Sequence, residues 1–131
     1  MAFRILDKLG MPSEDIAKIV SAIGNHDESS AYPVNVVSSA LILADKTDVR
    51  RTRVRKNYEG IHSRVNYAAE SSRVIIDKEK MTLTLKLTID TSICSIMDYF
   101  EIFLSRMMLC KKACEFFKLT FRLLINEQSL L

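Results

Sequence analysis

Residues 1–70 carry apolar positions with the period of an α-helix. From Ile16 to Ile23 the apolar residues recur at i, i+3, i+4 and i+7, which predicts a helix with one buried face. Asn35 precedes a second segment, residues 36–44, that is apolar over most of its surface. This arrangement predicts a capped helix in the centre of the domain. A short helix is also expected over residues 3–9.

The period changes to two after residue 71. Residues 73–76 form a β-rich run, a polar turn follows, and a strict alternation begins whose apolar members are Met81, Leu83, Leu85, Leu87 and Ile89. This alternation is the pattern of a half-buried strand, so the two runs predict a hairpin. A helical stripe follows over residues 93–108, and alternation returns over residues 119–125.

These patterns together predict an α+β fold. We expect a helical segment over residues 1–70 and a ββαβ unit over residues 71–131. An antiparallel sheet should bury its apolar face under the long helix and leave its threonine and lysine face in water.

The composition is that of one globular domain. The chain has 131 residues, of which 48% are hydrophobic and 27% charged, and this balance is typical of a folded protein. No apolar run approaches the roughly 18 residues of a membrane span, and no signal-peptide core is seen, so we expect a cytoplasmic protein with no membrane partner. Cys94, Cys110 and Cys114 form no CxxC pair, which favours buried free thiols in a reducing compartment.

The positive charge is concentrated in one place. Although the net charge is only +3, five of the seven residues from 50 to 56 are basic, and this cluster favours an anionic partner. Guanidinium groups bind phosphate oxygens through paired donors. The alternative interpretation is a solvated helix face whose cations have acidic neighbours. Nucleic-acid binding is less favoured, because Tyr58 is the only aromatic residue nearby and the net charge is modest.

Three short stretches are more polar than a core requires: residues 25–28, residues 44–48 and residues 61–67. Imidazole with carboxylate suits Mn, Fe, Ni or Zn, and carboxylate alone suits Mg. Such a metal lowers the pKa of a water, and neighbouring cations neutralise phosphoryl oxygens, as phosphate-ester hydrolysis requires. Each stretch also has a structural interpretation, as a solvated loop, a helix cap or a structural histidine.

Two of these stretches, NHDE at residues 25–28 and LADK at residues 43–46, carry a family resemblance. Their order is similar to that of the HD superfamily of metal-dependent phosphohydrolases, in which a final Asp ends an apolar helix in an ADK or ADR context. The segments IHSRVNYA and MDYFEIFLSRM are similar to a clostridial-type subgroup of uncharacterised HD proteins, and that resemblance covers nearly the whole chain. It implies hydrolysis of a phosphomonoester or nucleotide.

The resemblance also implies roles for individual residues. Asp45 would be a catalytic residue and a metal ligand, and His26 a second ligand for a divalent Mn, Mg, Ni, Fe or Zn ion. The candidate contacts to a phosphorylated small molecule or nucleotide are Lys46, Arg50, Arg51, Arg53 and Arg55.

The family's defining His-Asp pair has no clear counterpart. The chain holds only two histidines, His26 and His62. We therefore expect the pair to lie upstream of Met1, so that the chain is a truncated portion with a partial HD-type segment and little activity by itself. In the alternative interpretation, His26 and Asp27 are the pair, and Asp27 is then also a ligand.

Two further expectations follow from a partial HD segment. Apolar surface left without its usual neighbours favours self-association, so we expect a homodimer or a higher oligomer. The alternative function is a non-catalytic dimerisation or ligand-binding module carried by the ββαβ half.

Overall fold

The computed structural model describes residues 1–27, 31–53 and 60–130, and it has an α+β fold, as predicted. The helices are α1 (Ala2–Lys8), α2 (Ser13–Gly24), α3 (Val36–Thr47), α4 (Ile61–Ala68) and α5 (Ile96–Glu115), with a 3-10 helix at Arg51–Arg53. The strands are β1 (Ala69–Asp77), β2 (Thr82–Ile89), β3 (Thr120–Ile125) and β4 (Gln128–Ser129).

Helix α3 begins where the sequence predicts, at a capping box formed by Asn35 and Ser38. The Asn35 side chain accepts a hydrogen bond from the Ser38 backbone N–H at 2.8 Å, and the Ser38 hydroxyl accepts one from the Asn35 N–H at 3.0 Å. These two bonds satisfy donors that no helical carbonyl reaches at the start of a helix. They fix the direction of α3, which carries Asp45 and Lys46.

The sheet has the strand order β1-β2-β3-β4 and is mixed. The predicted hairpin is confirmed, because β1 and β2 pair antiparallel. The expectation of a wholly antiparallel sheet is wrong, because β2 and β3 run parallel. Helix α5 is the physical reason. It crosses over the sheet between the two strands and returns the chain to the end at which β2 began, so β3 starts in the same direction as β2.

The core lies between the sheet and the helices. Leu83, Leu85, Leu87 and Ile89 of β2 are buried, whereas the residues between them are partly or fully exposed, as the alternation predicts. Ile42 of α3 belongs to the same apolar cluster as the buried residues of β2, α5 and β3. The part of residues 1–70 from α3 onwards therefore shares one core with residues 71–131.

The cysteine prediction is confirmed: Cys94, Cys110 and Cys114 are free and buried. Among the helices that the structure describes, none is long and apolar enough to cross a membrane.

Candidate functional site

His26 lies directly after the C-terminal end of α2 and is partly exposed. Its Nδ1 lies 2.6 Å from the carbonyl oxygen of Ile23. Because a carbonyl oxygen only accepts hydrogen bonds, Nδ1 carries the proton in this contact, and Nε2 of the neutral ring keeps its lone pair. A backbone carbonyl on one ring nitrogen is the usual second-shell arrangement of a metal-binding histidine.

Asp45 lies in the last turn of α3, with its side chain 32% exposed. The neighbouring Lys46 ammonium lies 2.7 Å from Asp45 Oδ2, although the Lys46 side chain is only 5% exposed. A buried ammonium needs a partner to offset its lost hydration, and the Asp45 carboxylate is one. The pair therefore places one partly accessible carboxylate at the end of α3.

The Lys46 charge acts on a buried thiol of α5, that of Cys110. Burial raises the pKa of the Cys110 thiol to about 12, an effect that the adjacent Cys114 strengthens and that the charges of Arg106 and Lys46 oppose. The Lys46 charge thus affects a buried group of α5. Lys46 is also less accessible than a phosphate ligand on the protein surface would be.

Two of the predicted phosphate-binding arginines are bonded to acidic side chains. Arg50 donates two hydrogen bonds to the Asp48 carboxylate, at 2.8 and 3.2 Å, and these bonds raise the pKa of Arg50. Arg51 donates to Glu70 at 3.3 Å. Each guanidinium carries five donors, so these bonds leave others for a phosphate.

The remaining two arginines can be placed only in part. Arg53 closes the 3-10 helix, and its side chain lies outside the described residues, as does all of Arg55.

Arg51 has a structural function that the basic run in the sequence does not indicate. Its guanidinium lies over the ring of Tyr67, 4.8 Å from the centroid. The pKa of Asp90, at the end of β2, is lowered first by hydrogen bonds from Ser92 and also by the Arg51 charge. Arg51 thus contacts or influences α4, β1 and the end of β2, and it connects the helical half to the sheet.

The other candidate ligands are exposed. Asp27 follows His26 in the loop, and His62 lies on α4, where both side chains reach solvent. Within residues 1–27, 31–53 and 60–130, no three or more His, Cys, Asp or Glu side chains come close enough together to hold a metal ion. Neither His26 nor Asp45 therefore belongs to a cluster of three potential ligands within the described residues, and the metal site stays a prediction.

The buried thiols are poor nucleophiles. Burial raises the pKa of Cys114 to about 11, and the pKa of Cys94 is raised for the same reason. Since the thiolate is the reactive form, these cysteines are protonated and inert near neutral pH.

An open apolar groove of about 340 Å³ runs between α3 and the start of the sheet. It is lined by Ala40, Leu43, Ala44, Thr47, Val74, Ile76, Leu83, Phe117 and Leu119. Two of these residues come from β1, so the groove extends to the edge of the sheet.

Comparisons of the chain with protein-family models, with curated proteins and with solved structures found no match.

Proposed function

We propose that the chain serves a metal-dependent phosphohydrolase of the HD type, with His26 and Asp45 as two of the metal ligands and Asp45 as a catalytic residue. The hydrogen bond from His26 Nδ1 to the Ile23 carbonyl carries the proposal. This bond orients the ring and leaves the lone pair of Nε2 to coordinate a metal ion, which is the state that metal binding needs.

The His26 imidazole and the Asp45 carboxylate are ligand types that suit a divalent ion, but two ligands are too few for a catalytic site. Imidazole nitrogen and carboxylate oxygen suit Mn, Fe, Ni or Zn, whereas a catalytic zinc centre usually has three protein ligands. The described residues offer no such group, so the proposal requires at least one further ligand. When bound, the cation supplies Lewis acidity for phosphate-ester hydrolysis.

The basic residues after Asp45 supply the phosphate-binding part of the proposal. Arg50 and Arg51 are held in place by Asp48 and Glu70, so their guanidinium groups are already oriented before a ligand arrives. Ordered cations lose less conformational entropy on binding a phosphorylated small molecule or nucleotide than free ones do. Arg53 and Arg55 remain further candidates, and Lys46 contributes its charge from a buried position.

Metal titration tests the proposal. Mn²⁺ or Ni²⁺ should raise the melting temperature of the chain, and calorimetry should give about tenfold or greater weakening for His26→Ala and for Asp45→Asn, because even second-shell changes weaken metal sites by 10–100-fold. His62→Ala, which removes the other histidine, is the matched control and should bind as the parent does. Equal weakening by all three variants, or no binding by the parent, would reject the metal site.

A second measurement addresses the chemistry. Hydrolysis of a generic phosphate ester should require the added metal and should fall further in Asp45→Asn than in His62→Ala. Hydrolysis that is the same without metal would contradict the proposal.

The second candidate function is a non-catalytic assembly module that forms a homodimer. The exposed apolar residues of β1 favour it, since three consecutive members, Val74, Ile75 and Ile76, are each more than 40% exposed. Patches of this kind mark interaction surfaces. We also propose a cytoplasmic location, because three buried free thiols suit a reducing compartment.

A further inference from the structure

Strand β1 forms an edge of the sheet. It has nine residues and is hydrogen-bonded to β2 on one side, and no other described strand pairs with its outer side. The opposite edge is the two-residue strand β4. A long edge strand presents a row of backbone donors and acceptors that another strand can pair with, and proteins usually protect such edges.

The second half of β1 exposes apolar side chains at this edge. Val74, Ile75 and Ile76 are 41%, 43% and 56% exposed. Arg73 lies opposite Lys86 in the register with β2, and like charges directly opposite each other are destabilising. Lys86 is paired with Glu127 at 3.1 Å. Arg73 therefore lacks an acidic residue directly opposite it within its own sheet.

We propose that β1 pairs antiparallel with β1 of a second copy of this chain, about a two-fold axis through Ile75. In this register Ile75 lies opposite itself, Val74 lies opposite Ile76, and Arg73 lies opposite Asp77. The symmetry gives two Arg73–Asp77 pairs and two Val74–Ile76 pairs. The edge is therefore complementary to itself in both charge and hydrophobicity.

The neighbouring registers are worse for definite reasons. In a continuous sheet, residues directly opposite each other point to the same face. Any alternative register must therefore also pair residues that point to the same face. An axis through Val74 places Arg73 opposite the apolar Ile75. An axis through Arg73 places two guanidinium groups opposite each other. Only the axis through Ile75 matches every charged residue of the segment with an opposite charge inside the strand.

The groove supports the same arrangement. Val74 and Ile76 line it, and they are also the residues that meet across the proposed axis. The two grooves then join into one apolar surface on a single side of the extended sheet. Pairing ends near Ser72, whose hydroxyl donates to the Thr47 carbonyl, so only residues 73–77 take part. An interface of this length is smaller than that of a typical stable dimer, and we expect micromolar affinity.

Sedimentation velocity between about 1 and 200 μM tests the dimer, a range that brackets the expected micromolar dissociation constant. The inference rests on the self-association proposed above and not on the metal site. Arg73→Glu places acids opposite each other twice and should weaken dimerisation about tenfold or more. Arg122→Glu is the matched control, because Arg122 is an exposed residue of β3 and the change in net charge is identical. It should dimerise as the parent does.

A double variant separates charge pairing from damage to the fold. Asp77 Oδ1 accepts hydrogen bonds from the N–H groups of Glu79 and Lys80 in the β1–β2 turn, and Asp77→Asn keeps an oxygen for both. Adding Asp77→Asn to Arg73→Glu removes the repulsion and should recover part of the lost affinity. If the double variant dimerises no more tightly than Arg73→Glu alone, the predicted register is wrong.

Oxidative cross-linking tests the register independently. An introduced thiol in Ile75→Cys should meet its symmetry mate at about 4.5–5.5 Å between Cα atoms, within disulfide range. In Arg73→Cys the two thiols should be roughly 14 Å apart along the strands and should not cross-link. A parent chain that is monomeric at every concentration overturns both the self-association and this interface. If Arg73→Glu leaves the dimer affinity unchanged, or if Arg73→Cys cross-links faster than Ile75→Cys, this interface alone is overturned.

Discussion

The Asn126 side chain binds both backbone groups of Ile89, a residue 37 positions earlier in the chain. Its Oδ1 accepts from the Ile89 N–H at 2.8 Å, and its Nδ2 donates to the Ile89 carbonyl at 2.9 Å. The register of β2 with β3 ends at Leu87 and Ile125. Beyond that point the Asn126 side-chain amide makes the two hydrogen bonds to Ile89 that the backbone of a strand residue would otherwise make. Asn126 also has a φ of +49°, a left-handed conformation that asparagine tolerates better than most residues.

We expect Asn126→Ala to lower the free energy of unfolding by about 2–4 kcal/mol. It removes two hydrogen bonds worth about 1 kcal/mol each and retains a strained backbone that costs about another 1–2 kcal/mol. Asn126→Gly loses the same bonds but relieves the strain, so it should be less destabilising by roughly 1 kcal/mol. Urea denaturation of both variants measures the difference. Equal losses would show that the backbone conformation is not a source of strain.

The Asp45–Lys46 pair should be strongly asymmetric in its response to mutation. Asp45→Asn leaves a buried ammonium without its anionic partner, and we expect a loss of about 1–3 kcal/mol in the free energy of unfolding. Lys46→Met keeps the length of the side chain and removes its charge, so its effect should be smaller. In the double variant, adding Asp45→Asn to Lys46→Met should cost little more. A double-mutant cycle measured by urea denaturation checks this, and additive losses would contradict the pairing.

Arg50 and Arg51 are adjacent in sequence but should differ in their contribution to stability. The Arg50 pair with Asp48 is local and largely exposed, so Arg50→Ala should leave the free energy of unfolding nearly unchanged. Arg51 bonds to Glu70 and stacks on Tyr67, and Arg51→Ala should cost about 1–2 kcal/mol. Thermal denaturation of the two variants provides the comparison, with Arg50→Ala as the control. Equal shifts would argue against Arg51 as a connection between the two halves.

Local periodicity accounts for the elements that the sequence predicted well. Helix α3 and strand β2 each bury a face whose spacing is visible in a short window of sequence. The first four residues of β1 could not be predicted in this way. Residues 69–72 read AESS, a composition with little β preference, and they become a strand because β2 lies beside them. The parallel pairing of β2 and β3 is likewise set by the path of α5 and by no local pattern.

The candidate site was predictable as a set of residue types but not as a set of contacts. The sequence indicated basic residues after Asp45, but it could not show that Glu70, 19 residues away, binds Arg51. Nor could it show that Lys46 is buried, since a lysine at a helix end is usually exposed. Such contacts depend on how the helices pack against the sheet, which short-range spacing does not encode.

The thiol of Cys110 should make the fold less stable in alkaline solution. Burial raises its pKa from the ordinary value of 9.0 to about 12, so the folded chain holds this proton where the unfolded chain releases it. The unfolded state therefore binds fewer protons above pH 9, and stability falls as pH rises from about 9 to about 12, at up to about 1.4 kcal/mol per pH unit. Below pH 9 the contribution is constant. Urea denaturation at pH 8, 9, 10 and 11 measures this slope, and Cys110→Ala should reduce it. The slope that remains should come from Cys114 and Tyr99, whose pKa values are also raised. An unchanged slope in Cys110→Ala would assign the alkaline sensitivity to those other buried groups.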